Sequence, residues 1–252
     1  MSFNRVVALL LLAGLLITTP LAAERPKVGF LTSIEAPDGP DLEVELKDGR
    51  VLYGQMVGSS ALFGSVVKMR LRTHDDGKKH KLRADEIEEI RMPVDDLWRT
   101  VMVAQSTDSL EEIWKTDYER IFEVEELTFH SVRHPRSERV AIRQLINPGF
   151  DSRLRVYHLP NSKEGTLGDG SLNWFGGMSN AFLVVKDDGE VQRVKQREYR
   201  KKVFPVLFAD CPDLLDRYRG DFRKFKFFAE HVFLYDQLCP GPGSPTYVPP
   251  TP

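Results

Sequence analysis

The chain has 252 residues, 41% of them hydrophobic and 29% charged, with a formal net charge of −2. That length allows one large or two small domains. The balance excludes a disordered chain, a bundle of membrane spans, and any global attraction to nucleic acid or anionic lipid.

Arg5 supplies a short basic start, and Val6 to Ile17 forms an apolar run of about a dozen residues. Thr18, Thr19 and Pro20 break that run, and Leu21-Ala22-Ala23 places small residues before Glu24. This is the three-part form of a secretory signal peptide, with cleavage expected between Ala23 and Glu24. The run is shorter than the roughly 20 residues of a spanning helix, so no transmembrane segment is expected after processing. An uncleaved anchor is the alternative. Residues 1–23 carry Arg5 and no acid, which leaves 34 basic against 37 acidic side chains in the processed chain.

Residues 24–40 are a lead-in, with a candidate strand over GFLTSIE (29–35) and a turn at Pro37-Asp38-Gly39-Pro40. Residues 41–93 read as a small antiparallel barrel. Leu42, Val44 and Leu46 alternate with Glu43, Glu45 and Lys47, the period of a half-buried strand. Asp48-Gly49 suits a tight hairpin, and Gly54 and Gly58 offer points where the return strand bends or bulges. Lys68, Arg70 and Arg72 alternate with Val67, Met69 and Leu71 in a third strand. Asp76-Gly77 turns the chain back through HKLRADEIEEIRM, and Met92-Pro93 is expected to end the barrel.

The run VELKDGRVLYGQMVG resembles the first half of the Sm-like motif, whose glycine-kinked geometry SH3-like barrels share. The resemblance implies an Sm/SH3-like barrel. The Asp-x-x-x-Asn and Arg-Gly positions that hold a nucleotide in Sm-like proteins are missing from GSSALFGSVV and EEIRMP. Nucleic-acid binding is therefore not carried over.

Residues 94–239 read as a second, α+β unit. WRTVMVAQ (98–105) alternates like a strand, although Leu97, Val101 and Ala104 also suit a helix face. Ser109 and Glu112 have capping-box spacing, which predicts a short helix there. FEVEELTFHSV (122–132), RVAIRQLI (139–146) and Leu154 to His158 read as strands, with a strong turn at Asn147-Pro148-Gly149. Residues 163–177 hold five glycines and read as a long loop. A hairpin follows around Asp187-Asp188-Gly189. From Tyr199 the period changes to helical, through Leu214 and on over Phe222 to Leu238. Residues 240–252 are rich in Pro and Gly and read as a disordered tail.

The layout also resembles a group of secreted bacterial proteins with a signal peptide, a small barrel, a strand-rich middle and C-terminal helices carrying two cysteines. FEVEELTF, AFLVVKDDGEVQRV, Cys211 and Cys239 are the matching pieces. The resemblance implies export but no activity.

In an exported chain, Cys211 and Cys239 at the ends of adjacent helical segments suggest a disulfide, with free thiols or a redox or metal role as alternatives. His130 and His134 lie four apart, and His158 could join them if the strands were adjacent. No H-E-x-x-H, G-x-S-x-G or nucleotide cradle is present. No catalytic, metal or cofactor residue is assigned. The basic run KQREYRKK with RYRGDFRKFKFF reads as a solvated helix face or as a docking surface for an acidic partner or envelope polymer. The fold class is mainly β (α+β), a small barrel followed by a strand-rich unit closed by C-terminal helices. The function expected is that of an exported cell-envelope binding or scaffolding protein, not an enzyme, with an unidentified protein or envelope polymer as partner. An envelope enzyme around Asp169, His130 and His134, and an Sm-like RNA binder, are the rival readings.

Overall fold

A computed structural model describes residues 28–31, 41–62, 65–106, 118–159 and 181–239. The signal segment with Ala23 and Glu24, the capping box at 109–112, the glycine-rich loop at 163–177 and the tail at 240–252 lie outside the described residues.

Three strands arise where the sequence predicts them, β1 (Asp41–Leu46), β2 (Val51–Leu62) and β3 (Ser65–Thr73), and the return segment forms two, β4 (Lys79–Arg83) and β5 (Ile87–Pro93). A 3-10 turn at Ala84–Glu86 joins β4 to β5. Leu42, Val44 and Leu46 are buried, whereas Glu43 and Glu45 are half-buried on the outer face. Gly49 takes a φ of 84° in the β1–β2 turn and donates to the Leu46 carbonyl at 2.9 Å, which is the backbone sign an Asp-Gly hairpin needs.

The barrel does not end at Pro93. Beyond it come α1 (Asp96–Ser106), α2 (Tyr118–Glu123), β6 (Glu126–Arg133) and β7 (Val140–Gln144). Met92 pairs with Leu127 and Pro93 with Glu126, so β5 runs on into a ladder with β6. β7 then reaches β3 through Val66 and Ile142. The ring reads β2-β1-β5-β6-β7-β3 and closes through β2–β3, a six-stranded antiparallel barrel with β4 attached to β3 outside it. Two strands expected in the second unit therefore seal the first, because β3 and β5 each need a neighbour on their free edge. Met56, Met69, Leu71, Ile87, Met92 and Phe129 fill the interior. The space left among them is about 10 Å³, less than a single water needs.

Residues 98–105 are helical rather than extended. Asp95 accepts from the Trp98 amide at 2.9 Å and caps the first turn. The strand expected from Phe122 begins only at Glu126, since Phe122 and Glu123 form the end of α2. Residues 28–31 form no strand, although Leu31 donates to the Ile146 carbonyl at 2.8 Å.

A second sheet holds β8 (Leu154–His158), β9 (Ala181–Lys186) and β10 (Val191–Lys195) in the order β10-β9-β8. A helical run over 196–207 (α3) follows, then α4 (Pro212–Arg217) and α5 (Phe228–Leu238). The run contains a π turn at Tyr199–Val203, and the approach to α5 is made of 3-10 turns at Gly220–Arg223 and Phe225–Phe227. One face of the sheet, with Tyr157, Ala181 and Leu183, packs on Val132 and Leu145 of the barrel side. The other, with Val156, Phe182 and Val184, packs on Tyr199, Phe204 and Phe228 of the helices. β9 is buried on both faces. Phe30 of the lead-in inserts among Phe150, Phe182 and Phe228. Cys211 and Cys239 form the expected disulfide, 28 residues apart in sequence.

Candidate functional site

The period-two pattern of β3 buries Met69 and Leu71, so Lys68, Arg70 and Arg72 face outward. β4 buries Leu82, and Lys79, Lys81 and Arg83 face outward. The register places Lys68 opposite Arg83, Arg70 opposite Lys81 and Arg72 opposite Lys79. Six cations thus form a ladder of directly opposed like charges on one exposed face. On β2 the same rows continue into Gln55, Gly58 and Ser60, which add no charge. Asp76 shapes the hairpin end: it accepts from the Thr73 hydroxyl at 2.6 Å and the Lys78 amide at 3.0 Å. Its carboxyl is held well below the usual range, by the Lys78 ammonium first.

Arg83 is paired with Asp85 at 2.8 Å. Among the described residues, no ion pair engages the other five cations of the ladder. Opposed like charges destabilise a sheet, by roughly 1 kcal/mol per pair in water before screening. Lysines on an edge strand also protect against unwanted strand pairing. That role can account for β4. It does not account for Lys68, Arg70 and Arg72, because β3 is a ring strand with neighbours on both sides.

Beside the ladder, a groove of about 410 Å³ opens between the β1–β2 turn and β4. Leu46, Leu52 and Leu82 give it an apolar floor, and Lys47, His80 and Lys81 stand at its rim. Its two acids are engaged: Asp48 pairs with Arg50 at 2.8 Å, and Glu86 accepts from the Arg83 amide at 2.7 Å.

The histidines do not assemble. His130 on β6 bonds Glu89 through Nε2 at 3.1 Å and the Tyr157 hydroxyl through Nδ1 at 3.0 Å. The carboxylate requires the proton on Nε2, which leaves Nδ1 to accept from Tyr157. Both ring nitrogens are used, and no lone pair remains for base chemistry. Burial lowers the His130 pKa although Glu89 opposes the shift. Burial pushes the Glu89 carboxyl up, but hydrogen bonds from Arg91 and His130 outweigh it and hold the pKa below its usual range. His134 turns to its own loop, where Nδ1 accepts from the amides of Arg136 and Ser137, both at 3.2 Å. His158 is pushed down to about 4 by burial, with Arg143 adding to the effect. Asp169 lies outside the described residues. Among the described residues, no group of three or more His, Cys, Asp and Glu is arranged to hold a metal.

Two buried polar hubs serve the fold. Arg153 reaches Asp210 at 2.9 Å, the Tyr235 hydroxyl at 2.8 Å and the Cys239 carbonyl, and meets Asp187 at 2.9 Å as an ion pair without hydrogen-bond alignment. His231 takes the Tyr199 hydroxyl on Nδ1 at 2.6 Å and gives Nε2–H to the Phe222 carbonyl at 3.1 Å. In the basic C-terminal run, Tyr199, Phe204 and Phe228 are buried while Arg200, Lys201 and Lys202 are exposed, which is the pattern of a solvated helix face.

Sequence reasoning missed the cation ladder. Its signal was present in Lys68-x-Arg70-x-Arg72 and Lys79-x-Lys81-x-Arg83, but only the β3–β4 register turns two alternating rows into one face. Comparison with known proteins finds no matching family model, no matching curated protein and no matching solved structure.

Proposed function

We propose that this is an exported cell-envelope protein that works by binding or scaffolding rather than catalysis. The β3–β4 cation face is its docking surface, for an acidic protein partner or an anionic envelope polymer. One observation carries the reading: a ring strand bears a row of exposed cations opposite a second row, and among the described residues no ion pair neutralises five of the six. Such a face costs stability when bare and recovers it when an anion covers it. The packed barrel interior supports the same reading, since binding falls to the outer surface. The Sm/SH3-like geometry enters as scaffold alone, because fold does not fix function.

Export is supported by the form of residues 1–23 and by the Cys211–Cys239 bond, which suits an oxidising compartment. Mass spectrometry on protein recovered from its own host tests the address. A chain beginning at Glu24 and lighter than its reduced form by two hydrogens is expected, and an uncleaved, reduced chain contradicts export. Retention on an anionic matrix tests the surface. The wild type elutes only at raised salt, and reversing Arg70, Arg72, Lys79 and Lys81 to Glu removes that retention. Equal elution of the two proteins sinks the docking surface.

A further inference from the structure

We propose that the ligand of this face is an extended acidic peptide segment of a partner protein, which adds to the free edge of β4 as a further strand. The inference rests on the docking surface proposed above and specifies what it holds.

β4 pairs with β3 alone, so half of its backbone polar groups point away from the sheet. Which half follows from the hairpin. Thr73 donates to the Lys78 carbonyl at 3.0 Å, which makes Thr73 and Lys78 a hydrogen-bonded pair. Hydrogen-bonded and non-hydrogen-bonded pairs alternate along an antiparallel ladder. In the observed register, His80 and Leu82 therefore bond β3, and Lys79, Lys81 and Arg83 point their N–H and C=O groups outward. An independent contact agrees: the Arg83 amide faces away from β3 and is met by Glu86 at 2.7 Å. Glu86 caps that end of the edge. Among the described residues, the outward groups of Lys79 and Lys81 meet no partner.

A strand added there antiparallel to β4 exchanges its hydrogen bonds directly with Lys79 and Lys81, and residues of a directly opposed pair lie on the same face of the sheet. Acidic side chains at those positions meet the cation ladder. The residues between them face the other way, toward the groove floored by Leu46, Leu52 and Leu82. The surface thus selects a segment that alternates acidic and apolar residues. The lysines repel basic or neutral edges and admit an acidic one, which gives specificity as well as attraction. A polyanion without a peptide backbone would use the charges and leave the edge and the groove unused.

The test uses the full chain and a fluorescent peptide of alternating glutamate and valine, followed by anisotropy. Saturable binding that weakens with salt is expected. Methylating the glutamate nitrogens, which face Lys79 and Lys81, lowers affinity on the order of tenfold or more. Methylating the valine nitrogens, which face solvent, leaves it unchanged. Lys81→Gln removes the cation and keeps the outward N–H, so Lys81→Pro, which removes both without touching the β3 ladder, binds more weakly than Lys81→Gln. The peptide comparison on wild type stands even if the proline variant fails to fold. If the glutamate-methylated peptide binds as tightly as its parent, strand addition is overturned while an electrostatic docking face survives. If inorganic polyphosphate binds and the peptide does not, the ligand is a polymer and the inference is overturned in its favour. If no anionic probe binds, the inference and the docking surface fall together.

Discussion

His231 lies at zero exposure within a ring of Tyr199, Phe204, Phe208 and Tyr218, with both ring nitrogens bonded. It is a core histidine, with both ring nitrogens spent on protein partners. Burial lowers the His134 pKa, and His158 and His130 add to that pH response. Both have folded pKa values below the ordinary 6.5, His158 at about 4. Below about pH 6.5 the unfolded chain binds protons that the folded chain refuses, so stability falls with acidification. The loss runs from the unfolded value down to the folded one and then levels for these groups. Between about pH 7.5 and about pH 4.5, His158 alone accounts for roughly 2–3 kcal/mol. Thermal melts across that range check it, and His158→Gln flattens the curve. The Arg153 hub gives a second outcome. Arg153→Ala takes this donor from the Cys239 carbonyl, leaves Asp210 with Tyr235 and Lys186 alone, and costs about 3 kcal/mol in urea unfolding. Arg153→Lys recovers part of that, because an ammonium keeps the charge but loses the planar fork.

At the scale of the elements, β3 lies close against β2 at Gly54. A methyl there would overlap the Arg72 backbone carbonyl and the Thr73 Cα, and neither atom can move without opening the ladder. Gly49 presents the opposite case, with a φ of 84° and open space around it. Gly49→Ala costs about 1–2 kcal/mol from backbone conformation alone. Gly54→Ala costs more, about 3 kcal/mol or beyond, because overpacking against backbone has no cheap relief. Denaturant midpoints rank the two, and the reverse order would refute the close approach. β6 and β7 show how little an element's own pattern says about its partner. Their alternation was readable as strand. Their role as the wall between β5 and β3 was not, because pairing depends on which edges the first five strands leave open.

For the whole molecule, the second sheet is a shared layer. One face rests on the barrel and the other on the helices, so the two hydrophobic cores meet through β8 and β9. The disulfide ties the start of α4 to the end of α5 beside the Arg153 hub. Replacing Cys211 and Cys239 together by Ser frees the unfolded chain and lowers stability by about 3–4 kcal/mol on the chain-entropy account. The measurement is unfolding of both proteins with and without reductant. Reductant lowers the wild type toward the variant and leaves the variant unmoved.

Read alone, the sequence determined whatever is local. The two-residue period of Leu42 to Leu46 places β1, and the Asp-Gly pairs at 48–49, 76–77 and 188–189 place three hairpin turns, since each depends only on neighbours along the chain. The two cysteines at helical ends likewise pointed to the bond that forms. Tertiary structure decided the rest. Ring closure through residues 126–144 depends on contacts between distant segments, and the merging of two cationic rows into one face depends on the β3–β4 register. Alternation says which way a side chain points. Only register says what stands beside it.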